Sequence, residues 1–114
     1  METEQTQDFA AVVILSTVPD LNLGKRIAHV LLEENLAACV HFGQSGLSMY
    51  LWKGEIQGEQ EISLTIKTSQ AVVSAAIERL VELHPYDVPE VLVLPAIAGY
   101  GPYLEWIHAN TSHS

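Results

Sequence analysis

Residues 50–68, YLWKGEIQGEQEISLTIKT, alternate apolar and polar side chains on both sides of a glycine-containing break. That period belongs to a β-strand, whose side chains return to the same face every two residues, and the break between two such runs makes a long β-hairpin. The alternation places Tyr50, Trp52, Gly54 and Ile56 on one face of the first arm, and Ile62, Leu64 and Ile66 on one face of the second. Gly58 with Glu59 is the expected turn. A hairpin this long, with aromatic residues far out along one arm, carries more apolar face than the helices of a 114-residue chain can cover. A partner subunit is therefore expected against it.

The segments around the hairpin fix its setting. Residues 9–16, FAAVVILS, form a nearly continuous apolar run that suits a central strand. After Pro19 and Asp20, Leu23, Ile27, Val30 and Leu31 recur at helical spacing to about Asn35, with Lys25, Arg26, Glu33 and Glu34 opposite. Gly24 in that helix costs about 1 kcal/mol against alanine and is read as a tolerated defect in preference to a point of close approach. A strand opens at residues 37–40, and GQSG at 43–46 implies a bulge or bend. Thr68 or Ser69 is the expected cap of a second helix carrying Val72, Val73, Ala76, Ile77, Leu80 and Leu83, which His84-Pro85 stops. Residues 91–94, VLVL, read as a further buried strand, and Pro102 suits the first turn of a short last helix with Tyr103, Trp106 and Ile107. The order is βαββαβ plus a terminal helix: an α+β, ferredoxin-like sandwich with a long hairpin between its second and third strands. One domain over residues 9–110 is expected, preceded by a disordered tail over residues 1–8, with no cofactor required for folding.

Composition narrows the partners. Fourteen acidic residues against five Lys and Arg, a net charge of -9, repel a nucleic-acid backbone. The polar, acidic first residues lack the pattern of a leader, and no apolar run is long enough to span a bilayer, so a cytoplasmic protein without membrane contact is expected. The single cysteine, Cys39, excludes an intrachain disulfide and leaves a buried thiol or a metal ligand.

Residues 36–40 (LAACV), Ser48, Tyr50, Trp52 and Gly54, residues 66–68 (IKT), residues 84–90 (HPYDVPE), and Tyr103-Leu104 with Trp106-Ile107 together resemble the CutA family of divalent-ion tolerance proteins. The likeness runs from Val12 to Ile107. It implies a homotrimer of ferredoxin-like subunits joined through the long hairpin, and an association with divalent-metal tolerance and copper binding. Where the family commonly has a polar residue and a Pro-Gly bend after the Cys-Val pair, this chain has His41 and then Gln44-Ser45.

His84, the first residue of the HPYxxPE motif, is the leading metal-ligand candidate by that resemblance. The plainer and preferred reading is a histidine capping a helix end, where imidazolium meets the negative end of the dipole. Cys39 and His41, two apart on a strand, point to one face and offer thiolate plus imidazole, a suitable pair for copper or zinc. The preferred reading there is a buried thiol beside an incidental histidine. Lys67, with Thr68 and Ser69 at a helix start, could receive an anion, although capping explains the hydroxyls equally well. Tyr50, Trp52, Tyr86, Tyr103 and Trp106, with Glu61, Lys67 and Glu90 as polar groups, could line an intersubunit cleft for a small effector, with plain interface packing as the preferred alternative. The residues lack a Ser-His-Asp order, a phosphate loop, HExxH and paired-cysteine zinc spacing, so an enzyme is not expected. A trimer binding divalent metal or a small effector is the first reading of function, and a structural or adaptor trimer with incidental metal binding is the second.

Overall fold

The computed structural model describes residues 3–4 and 10–112. Its elements are β1 (Thr3–Glu4), β2 (Ala11–Val18), α1 (Leu21–Glu33), β3 (Cys39–Trp52), β4 (Glu55–Ser69), a 3-10 turn (Gln70–Val72), α2 (Val73–Leu83), β5 (Leu92–Pro95), β6 (Gly99–Tyr100) and α3 (Gly101–Asn110). The main antiparallel sheet has the order β3-β4-β2-β5, with β4 inserted between the strands that α1 connects, which is the split βαβ expected from the sequence. Of the tail expected to lack structure, Thr3 and Glu4 pair with Tyr100 and Gly99. The rest of it lies outside the described residues.

Alternation along β2 and β4 builds the core. Ile14 faces Ile66 and Ser16 faces Leu64 across the ladder, and Ile14, Leu64 and Ile66 pack with Ile27 and Leu31 of α1 and Ala76 and Leu80 of α2. Each of the larger of these side chains is fully buried, which is worth about 1.5–3 kcal/mol apiece. On the opposite face, α3 sets Leu104 and Ile107 against Ala11 and Ala38 at one end of the sheet. Beyond that end no element among the described residues covers the face, which presents Val13 opposite Leu94 and Leu15 opposite Leu92.

Local chemistry fixes the helix ends. Asp20, extended at φ -153, accepts the Leu23 amide at 2.8 Å and starts α1. Asn35 turns left-handed at φ 59 just after the helix. Gly24 is a point of close approach, which corrects the tolerated-defect reading: a Cβ there would stand 2.8 Å from Cε2 of Phe42 and 3.2 Å from Cγ2 of Val18. The expected caps are also corrected. The Thr68 hydroxyl donates to the Leu36 carbonyl at 2.7 Å and Ser69 pairs with the Thr111 hydroxyl at 2.9 Å, so both tie segments together and neither caps a helix. Both are buried; Ser69 holds the N-cap position of the 3-10 turn without a side-chain cap bond, and α2 begins only at Val73, so the hydroxyls suggested for an anion at Lys67, Thr68 and Ser69 are engaged within the fold.

The hairpin turns at Lys53-Gly54 and not at Gly58-Glu59. Both turn residues have positive φ, 52 and 82, in a two-residue connection between Trp52 and Glu55. Positive φ at both positions matches the twist of the flanking strands. The five-residue shift leaves Met49 opposite Gly58 and Leu51 opposite Ile56. Ile56 therefore shares a face with Leu47, Met49 and Leu51, and not with Tyr50 and Trp52 as the alternation suggested. The register slips between Phe42 and Ser45, where a bend was expected. The hairpin projects from the body: the radius of gyration is 15.1 Å, against about 13 Å for a compact chain of this length. β5, expected to be buried, is an edge strand with Leu92, Val93 and Leu94 exposed.

Candidate functional site

A groove of about 760 Å³ lies between the hairpin and the loop after α2, lined by Thr17, Ser48, Tyr50, Trp52, Glu59, Glu61 and residues 86–90. Its loop wall begins where α2 ends. The residue before a proline is driven out of helical geometry, and His84 accordingly sits at φ -85, ψ 137. This turns the imidazole into the body, where it is buried. Its Nε2 lies 2.7 Å from the Thr17 carbonyl, and its Nδ1 accepts the Tyr86 amide at 3.2 Å. The ring that accepts at Nδ1 and faces a carbonyl at Nε2 carries its proton on Nε2. Its edge packs against the Tyr86 ring, with centroids 4.6 Å apart at 60°.

Tyr86, fixed by His84, donates its hydroxyl to Oε2 of Glu61 at 2.9 Å. A continuous set of contacts thus runs from β2 through His84 and Tyr86 to β4. Desolvation first, then the hydrogen bond to Glu61 and the charges of Glu61 and Glu59, push the Tyr86 phenol up to about 12. It remains a protonated donor at any physiological pH. Tyr50 is raised in the same direction by desolvation, then by the charges of Glu59 and Glu61.

Of the expected cleft residues, the structure brings Tyr50, Trp52, Glu61, Tyr86 and Glu90 together. It places Lys67 outside the groove, beside Val13 and Cys39 in the ladder, and Tyr103 and Trp106 on α3, stacked at 5.7 Å. Sequence reasoning missed Thr17, Ser48, Glu59 and Asp87. Glu59 was hidden by its assignment to the turn; with the turn at Lys53-Gly54, its ladder partner Ser48 and the face of Tyr50 follow from alternation.

The metal candidates do not gather at one point. Cys39 opposite Lys67 and His41 opposite Thr65 share the open face of the sheet, with Cys39 a free thiol of intermediate exposure and His41 exposed. His84 is held on β2 at Thr17, and β4 separates β2 from β3, two strand spacings or about 10 Å. Both its ring nitrogens are engaged, so a metal there would have to displace the Tyr86 amide or the Thr17 carbonyl. Among the described residues no three His, Cys, Asp or Glu side chains are placed to hold an ion together. Thiolate and imidazole are donor types that suit a soft metal ion, and Cys39 with His41 would offer one of each. Of the remaining histidines, His29 pairs with Glu33 at 2.6 Å on the surface of α1, and His113 lies outside the described residues.

A ferredoxin-like α+β protein with a projecting hairpin and a groove at the hairpin's base is the class these features define. Residues 12–110 match the model of the CutA1 divalent ion tolerance protein family. The chain belongs to that family. It is 42% identical over 100 residues to the divalent-cation tolerance protein CutA of Pectobacterium atrosepticum, covering 88% of this chain and 91% of that one. Identity to the protein of the same name from Thermus thermophilus is also 42%, over 99 residues, 87% of this chain and 96% of the other. The crystal structure of CutA from Xylella fastidiosa superposes with a TM-score of 0.87 at 43% identity, over 90% of this chain and 98% of that chain. No helix among the described residues is long and apolar enough to cross a membrane.

Proposed function

We propose that the chain serves divalent-cation tolerance by binding a divalent ion, copper foremost, at Cys39 and His41, as a cytoplasmic homotrimer. The observation that carries this reading is the placement of a free thiol and an exposed imidazole two residues apart on the open face of the sheet. Two donors leave the coordination incomplete within one chain, and a neighbouring subunit or solvent completes it. Assembly is supported by the edges at β3 and β5, unpaired among the described residues, and by Leu47, Met49, Leu51 and Ile56, each at least 66% exposed. In this reading the ion is not a folding requirement, which the apolar core around Ile14, Ile27, Leu31, Leu64 and Ile66 supports. His84 acts in this reading as the clamp that sets Tyr86.

Copper titrated by calorimetry into excess reduced apo protein tests the reading. Saturable uptake at a fixed ratio per chain is expected, weakening on acidification because protons compete with the metal for thiolate and imidazole donors. Loose uptake at many sites, without that pH dependence, favours instead an adaptor trimer whose specific partner is another protein.

A further inference from the structure

We propose that His84 is an acid-operated latch: protonation of its buried ring frees the loop of residues 85–90 from the body of the subunit. The neutral ring has one donor and one acceptor, and the fold uses both. Nε2–H faces the Thr17 carbonyl at 2.7 Å, and Nδ1 accepts the Tyr86 amide at 3.2 Å. An imidazolium carries a proton on each nitrogen and accepts at neither. Once Nδ1 is protonated, two N–H groups point at one another, and turning the ring over cannot restore the acceptor. The Tyr86 amide then stands without a partner beside a buried side chain, which drives the loop off the ring.

One contact can decide the loop's position because little else holds it. Among the described residues no backbone-to-backbone hydrogen bond engages residues 85–90: such bonds end with the His84 amide on the Val81 carbonyl and resume with the pairing of β5 at Leu92. The other tie is the Tyr86 hydroxyl on Glu61 at 2.9 Å, aimed by the ring contact of Tyr86 with His84. Release of the amide therefore loosens this tie as well, and with it one wall of the groove. The elements around the ring bring few charges to it. α2 ends there with its free carbonyls and Glu82, the loop contributes Tyr86 and Asp87, β4 contributes Glu61 through the Tyr86 hydroxyl, and β2 carries no titratable side chain. None of them forms an ion pair with the ring among the described residues. These groups set where the ring titrates, while the exchange of an acceptor for a donor follows from protonation wherever it falls.

Amide hydrogen exchange of the isotope-labelled, assembled full-length protein tests the proposal, read by NMR across the titration of the His84 ring in the same sample. Protection of the Tyr86 amide, normalised for the pH dependence of intrinsic exchange, should fall about tenfold as the ring takes up its proton. The amides of Leu64 and Ile66, in the core ladder, should keep theirs. His84→Gln, which does not titrate, should show no such step. Glu61→Gln, which still accepts from the Tyr86 hydroxyl, should retain it. Unchanged Tyr86 protection while the ring titrates would overturn the proposal, and so would a ring that stays neutral until the core unfolds. A step that persists in His84→Gln or vanishes in Glu61→Gln would assign the acid response to Glu61 instead, and simultaneous loss at Leu64 and Ile66 would show whole-chain unfolding in place of a latch. No metal enters the measurement, so copper uptake at Cys39 and His41 stands or falls separately.

Discussion

His84→Ala is expected to lower the stability of the folded protein by about 3 kcal/mol, or roughly 10 °C or more in melting temperature. The side chain is buried and bonded at both ring nitrogens, to the Thr17 carbonyl at 2.7 Å and from the Tyr86 amide at 3.2 Å. Removal leaves two backbone groups without their partner and empties the space against the Tyr86 ring. The damage should spread to the groove, because Tyr86 then loses the contact that aims its hydroxyl at Glu61. His84→Gln, which can still donate to Thr17, should recover part of the loss. Thermal unfolding followed by circular dichroism measures both variants. A melting temperature for His84→Ala within a degree of the parent would show that the imidazole does not hold the loop.

Serine at Leu47, Met49 and Leu51 together is expected to reduce the assembled mass from three chains to one. These side chains share one face of the hairpin with Ile56 and make no part of the subunit core. They are 66%, 67% and 69% exposed in the single chain, and covering each by a neighbour is worth about 2 kcal/mol. Loss from every copy removes enough to dissociate the proposed trimer at micromolar concentration. Light scattering should then report one chain of 12.5 kDa where the parent gives three, with the circular-dichroism spectrum unchanged. An unchanged mass would place the subunit contact elsewhere.

What could be read from the residues divides along physical lines. The α2 stop at His84-Pro85 was legible because a proline's missing donor and ring clash act on its immediate neighbours. The order of strands and helices was legible because periods of 2 and 3.6 differ clearly. The turn was misplaced because Gly58-Glu59 and Lys53-Gly54 both look permissive locally, and only the ladder from Cys39 to Lys67 fixes which pairs. That error moved Ile56 to the wrong face and concealed Glu59. Apolar content alone cannot distinguish a central strand from an exposed edge, so residues 91–94 were expected to be buried. Thr68 and Ser69 resemble caps in sequence, while their partners, Leu36 and Thr111, are 32 and 42 residues away. The Tyr86 to Glu61 bond that organises the groove spans 25 residues and carries no local signal.

Copper titration of Cys39→Ser with His41→Ala, beside His84→Gln and the parent, bears most directly on the proposed metal function. The double variant should lose the saturable phase while His84→Gln keeps the parent's ratio and affinity, since His84 already spends both nitrogens on the fold. Loss of that phase in His84→Gln, with the double variant binding as the parent does, would contradict the account and return the metal to the helix end.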